Sequence, residues 1–295
     1  MKKIILSFGL ILMFILKINA EELSPFISCG TVSGDVKTVK ESIKTKLKAK
    51  GFTITGGYYV ENKGNFFVIT FTNKDLQSTC LKVKDRGILA ANLRIGLTKK
   101  GDKVEVTALN PKYMFVGYLG SSYDTHKAIL TKIDNSVKAV LKQINPKYTY
   151  FGGKVEISKL KKYHYMFGMP YFSDPIELKE FASFEKAVET IKNNLAAKKG
   201  NTRMVYKLVY KTSKVAVFGV ALHDKATGEA KFLPIIGEKH LAAMPYEIVV
   251  IGKTATMLHG RYRFALYWPE LTMGEFQKIM STPGNVEDTL KKLTE

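Results

Sequence analysis

The feature that most constrains this chain is a pattern that occurs in it twice. Val36, Val39, Ile43 and Leu47 recur at helical spacing, and the run stops at Gly51, a residue suited to end a helix. Phe184, Val188, Ile191 and Leu195 repeat the stripe behind Ser183, a good N-cap residue, and stop at Gly200. Each helix leads into strand-like sequence, Phe66 to Thr72 in the first half and Val205 to Val220 in the second. In the first half Leu89-Ala90-Ala91 then introduces a strand from Leu93 to Leu97, a turn at Lys100-Gly101-Asp102, an alternating strand from Val104 to Leu109, and Asn110-Pro111. In the second, Leu241-Ala242-Ala243 introduces Tyr246 to Ile251, a turn near Gly252, an alternating strand from Tyr262 to Trp268, and Pro269. Read this way, the spacing between copies grows from 149 residues at the glycines to 152 at the Leu-Ala-Ala runs and 158 at the prolines, as loop insertions would produce.

One helix-and-strand unit used twice predicts an α+β chain of two tandem two-layer units, each a mostly antiparallel sheet with helices packed on one face. The expected division is a leader over 1–20, a first unit over 21–145, an aromatic-rich connection over 146–182 at the seam of the units, and a second unit over 183–295. Each unit is expected to close in helix. Ile129, Ile133, Val137, Leu141 and Ile144 form one apolar stripe; in the second unit Thr272 and Glu275 have capping-box spacing, and Val286, Leu290 and Leu293 continue as a last helix. The connection is too long to be structureless, so a short strand is expected around Lys154 to Ile157.

At these residues the sequence resembles a bacterial family known as domain of unknown function 302. The resemblance lies in Ala91-Asn92-Leu93-Arg94-Ile95, Val104-Glu105-Val106 and Asn110-Pro111-Lys112-Tyr113-Met114 in the first copy. In the second it lies in Met244-Pro245-Tyr246-Glu247-Ile248, Arg263-Phe264-Ala265-Leu266 and Pro269-Glu270-Leu271-Thr272-Met273. The family implies a compact α+β domain with helices on one face of a sheet, and implies no established reaction.

Lys2 and Lys3 precede an apolar run from Ile4 to Leu16, and Ala20 stands before Glu21 and Glu22. This is the pattern of a secretory signal peptide cut after Ala20. The apolar run is short of the roughly 20 residues that span a bilayer, which favours cleavage over an uncleaved anchor. The expectation is an exported, periplasmic protein whose mature chain begins at Glu21. Removing Lys2, Lys3 and Lys17 from the formal charge of +20 leaves +17. In a compartment without nucleic acid, that charge points to an anionic membrane surface, a cell-wall polymer or an acidic protein partner, with an unknown small ligand as the other partner expected. Against a dedicated basic surface stands the shortage of arginine, present only at Arg86, Arg94, Arg203, Arg261 and Arg263.

The sequence carries no Walker loop, dinucleotide fingerprint, Gly-x-Ser-x-Gly elbow, His-Glu-x-x-His or haem-attachment motif. Its acids are scattered, and the neighbours His223 and Asp224 would point to opposite faces of a strand. Binding is therefore the expected role rather than catalysis. His164, Met166 and Met169 offer imidazole and thioether donors within six residues, the set that monovalent copper favours, and the same atoms would suit haem. The competing reading is core filler, since methionine beside aromatics packs irregular interiors. Arg261 and Arg263 share one face if the segment is a strand, and with His259 nearby they could hold an oxyanion. Cys29 and Cys80 form an even pair that export would allow to join as a disulfide.

Overall fold

The structure is a computed structural model that describes residues 21–295; the signal-peptide reading of residues 1–20 lies outside the described residues. The chain runs through β1 (Glu22–Leu23), β2 (Phe26–Ser33), α1 (Val36–Ala49), β3 (Thr53–Tyr59), β4 (Phe66–Thr72), α2 (Lys74–Leu81), β5 (Leu93–Lys100), β6 (Lys103–Leu109), α3 (Pro111–Leu119), α4 (Ser122–Thr125) and α5 (Lys127–Ile144). It crosses through β7 (Thr149–Phe151), β8 (Val155–Glu156) and α6 (Ile157–Leu160). The remainder is β9 (Ile176–Glu180), α7 (Phe184–Ala196), β10 (Thr202–Tyr210), β11 (Val215–Leu222), α8 (Glu229–Ile236), β12 (Tyr246–Ile251), β13 (Thr254–Met257), α9 (Gly260–Tyr267), α10 (Met273–Lys278) and α11 (Thr282–Lys292).

The two opening helices form for the reasons their sequences give. The Asp35 carboxylate accepts the Thr38 N–H at 2.7 Å, and the Ser183 hydroxyl accepts the Lys186 N–H at 3.1 Å, so each first turn has a satisfied donor. Val36, Val39, Ile43 and Leu47 are buried on α1, as are Phe184, Ala187, Ile191 and Leu195 on α7. Gly51, just past α1, has φ of +79°, a left-handed turn that a side chain would strain.

Two antiparallel sheets with helices against them make the fold α+β. The first has strand order β3-β4-β5-β6-β2-β7 and the second β10-β11-β12-β13-β9. Taking β3 with β10, β4 with β11, β5 with β12, β6 with β13 and β2 with β9, the two orders coincide, and β7 is an extra edge on the first sheet. Register repeats as well: Ile69 faces Ile95 and Thr70 faces Arg94 in the first sheet, while Phe218 faces Ile248 and Gly219 faces Glu247 in the second. Helices α1 and α5 cover one face of the first sheet, and α7 and α11 lie against the second.

Two sequence expectations are corrected here. The stretch Tyr262 to Trp268 is not a strand: Gly260–Tyr267 is helix α9, and the strand that pairs with β12 is the shorter β13. Nearly every residue of α9 is buried, so no amphipathic stripe marks it, and the large side chains at 262, 264, 266 and 268 imitate a period of two. With that change α3 begins at Pro111 and α9 at Gly260, which restores the spacing of 149 found at the glycines. The connection also ends early, because β9 is an edge strand of the second sheet, paired with β13. Within it, β8 falls where a short strand was expected and pairs with β1.

The two halves meet closely. Gly56 lies at the contact between β3 and β10, where a Cβ would stand 2.0 Å from the Val205 carbonyl oxygen. Gly96 on β5 sits under the Leu-Ala-Ala turn of the second half, where a Cβ would come 2.9 Å from the Ala242 nitrogen. Both positions admit only glycine without a backbone shift.

Candidate functional site

Helix α9 positions both features that could carry function. At 3.6 residues per turn, Arg263 and Tyr267 share one face, and Arg261, Phe264, Ala265 and Trp268 share another. The first face meets the other half of the molecule; the second opens into a groove.

On the inner face is a buried ionic cluster. Arg94 of β5 forms an ion pair with Glu247 of β12 and donates to the Ala243 carbonyl at 2.9 Å. Arg263 donates to the Ala243 and Pro245 carbonyls at 2.6 and 3.0 Å and approaches Glu247 at 3.7 Å. Its guanidinium lies 3.8 Å from the centre of the Tyr246 ring. All three charged side chains are at most 5% exposed. Arg94 and Glu247 occupy the same rung of the two sheets, so the pair joins equivalent positions. Tyr118 and Tyr267, each the eighth residue of its helix, are likewise hydrogen-bonded to one another at 2.8 Å. The seam thus brings together side chains that stand at corresponding places in the strand and helix order of the two halves.

A second buried acid lies at this junction. Tyr58 of the first half donates to Glu229 of the second at 2.5 Å, and Glu229 is wholly buried. Burial pushes its carboxyl up to about 8, against the Tyr58 hydrogen bond, which favours the charged form.

The outer face of α9 floors a groove of about 260 Å³. Phe264, Ala265 and Trp268 form the floor; Leu271, Met273, Phe276 and Met280 form one wall; Tyr165, Met166 and Met169 form the other. Arg261 is the one charged residue of the lining. Met166, Met273 and Met280 are 53%, 61% and 63% exposed, and Phe167 beside them is 100% exposed. Apolar surface of this kind, left in solvent, is a mark of a binding site, and methionine is the side chain that adapts best to an occupant. Met166 and Met169 are held by a turn, in which the Met169 N–H donates to the Met166 carbonyl at 3.1 Å.

The candidate site residues fall out unevenly. Met166 and Met169 line the groove, whereas His164 borders two neighbouring concavities that are larger and more open to solvent. Its Nε2 is within 2.7 Å of the Met169 carbonyl, and its ring stacks on Tyr171 at 3.9 Å. Arg261 and Arg263 do not share a face, because the segment is helical; Arg263 is consumed by the buried cluster and Arg261 reaches the groove. His259 caps α9, its Nδ1 accepting the Arg261 N–H at 3.2 Å, and burial, with help from the Arg261 charge, lowers its pKa. Cys29 and Cys80 are free thiols rather than a disulfide. Burial pushes the Cys29 thiol up to about 12 and raises that of Cys80 as well, which keeps both protonated and unreactive. Asp224 is turned into its own loop, accepting from Asn201 and Thr227, and forms no relay with His223.

Sequence reasoning missed Phe264 and Trp268, hidden by the strand reading, and Met273, Phe276 and Met280, whose helical spacing behind the Thr272–Glu275 capping box was a usable signal. It also missed the seam, signalled by single charges inside apolar strands in Leu93-Arg94-Ile95 and Tyr246-Glu247-Ile248.

No family model matches this chain, and no curated protein does. Among solved structures it is similar to the uncharacterized conserved protein DUF302 from Bacillus stearothermophilus, at 17% identity and a TM-score of 0.33, over 39% of this chain and 96% of that one.

Proposed function

We propose that the protein is an exported, periplasmic binding protein without catalytic activity, whose ligand sits in the methionine-walled groove over α9. The observation that carries this is the combination of an aromatic floor with solvent-exposed methionines at 166, 273 and 280. A core residue would be covered, and a surface chosen for solubility alone would not gather so much apolar area in one concavity. Export rests on the sequence pattern of residues 2–20. Each unit is further read as a divergent copy of the domain of unknown function 302, on the motif resemblance together with the repeated strand order.

Trp268 is the chain's single tryptophan and lies in the groove, so it reports occupancy directly. Titration with the neutral dye N-phenyl-1-naphthylamine is expected to quench Trp268 emission saturably with one dye per chain. Met280→Lys is expected to weaken that binding about tenfold, because it places a charge where an apolar wall stood. Absence of saturable binding to the wild type would overturn the reading.

A second reading has its own observation: four thioether side chains, Met166, Met169, Met273 and Met280, border the same groove. Thioethers are soft donors suited to monovalent copper. On this reading the metal is handled by the methionines, with His164 outside the groove and holding the Met169 backbone in place.

A further inference from the structure

Resting on the groove reading, we infer the ligand's class: a single-chain amphiphile with one carboxylate head, its head on Arg261 and its alkyl chain along Phe264, Trp268 and Phe276. The lining is polarised along α9. Arg261 stands at one end, and the apolar floor continues to Trp268, seven residues and about 10 Å further along the helix. A ligand that satisfies both ends carries its charge terminally.

Arg261 is available for that role. Arg86 pairs with Asp85, and Arg94 and Arg263 both meet Glu247, but Arg261 has no carboxylate partner among the described residues. It is exposed, and it also borders the dent that holds His259 and Asp174, so the charged end of the groove opens to water. The same neighbours restrict the head to a single negative charge. Asp174 would repel a dianion, and His259, whose protonation burial and the Arg261 charge both disfavour, supplies no second cation. A phosphate monoester is therefore a poorer match than a carboxylate. Size restricts the tail: about 260 Å³ lies just below the range of drug-sized ligand pockets, roughly 300–1,000 Å³, and suits one chain rather than two.

The test compares dodecanoate, dodecan-1-ol and dodecyltrimethylammonium, all below their aggregation concentrations, by Trp268 emission and by equilibrium dialysis. Dodecanoate is expected to bind about tenfold more tightly than the alcohol, and the cation more weakly than either. Arg261→Gln is expected to bring dodecanoate down to the alcohol's affinity and leave the alcohol unchanged, while Arg261→Lys retains a preference for the acid. Because Arg261 is exposed, both variants should keep the wild-type circular dichroism. Equal binding of acid and alcohol to the wild type, or an acid preference that survives Arg261→Gln, overturns the assignment of the head while leaving the groove as a binding site. Binding of none of the three by dialysis overturns the groove reading itself.

Discussion

The two faces of helix α9 invert the usual placement of polar and apolar groups. Its inner face carries Arg263 into a dry seam beside Arg94 and Glu247, while its outer face leaves Phe264 and Trp268 flooring a groove with exposed methionines. The difference teaches where each kind of substitution should register. A charge held away from water is expensive unless paired, so changes in the seam should appear as stability. The walls of the groove include Met166, Met273 and Met280, which the fold leaves exposed, so changes there should appear as binding.

The sharpest way to break this comparison is to unpair the seam. Arg94→Met is expected to cost about 3–5 kcal/mol in denaturant unfolding, because Glu247 is left buried with only the longer approach of Arg263. Adding Glu247→Met should recover part of that loss, since an apolar pair needs no desolvated charge; a double variant as unstable as the sum of the singles would refute the coupling.

Next in size is the pH dependence set by Glu229. Its carboxyl titrates near 8 in the folded chain against 4.5 as its ordinary value, so the folded state holds a proton that the unfolded chain has lost. Stability from this group is full below about 4.5 and falls as pH rises toward 8, by a few kcal/mol at about 1.4 kcal/mol per pH unit. Unfolding measured across pH 5 to 8 should show that decline in the wild type and lose it in Glu229→Gln. A slope that persists in the variant would assign the effect to another group.

The smallest effect separates the groove from a packed core. The double variant Met166→Ala, Met169→Ala should lower stability by less than about 2 kcal/mol, since Met166 is half exposed, where two fully buried methionines would cost more. The same variant tests the copper reading: a titration with monovalent copper should show weakened binding if the thioethers hold the metal, and unchanged affinity would remove it.

Much of the fold was legible because the signals were local. Ser183, Gly51 and the stripes of α1 and α7 act within one helix, and the strands around Leu93 and Tyr246 are bounded by their own turns. Helix α9 was misread because burial on two sides erases the periodicity by which a helix is recognised. The candidate site was only half legible for a related reason. Met166 and Met169 lie close in sequence, but Trp268, Phe276 and Met280 reach the same groove through a chain path that nothing in their spacing records. Cys29 and Cys80 were paired by compartment chemistry, which says nothing about the distance between a strand and a helix.

The opposite charges at 94 and 247 also act as an address label. The two sheets present the same rung to each other, yet one offers a cation and the other an anion. Two first halves pressed together in this way would set arginine against arginine, and two second halves glutamate against glutamate, a clash worth several kcal/mol in a dry interface. Each half is thereby made a poor partner for its own kind and a good one for its neighbour. The charge asymmetry thus selects the meeting of unlike halves over the association of like ones, whether or not the two belong to one chain.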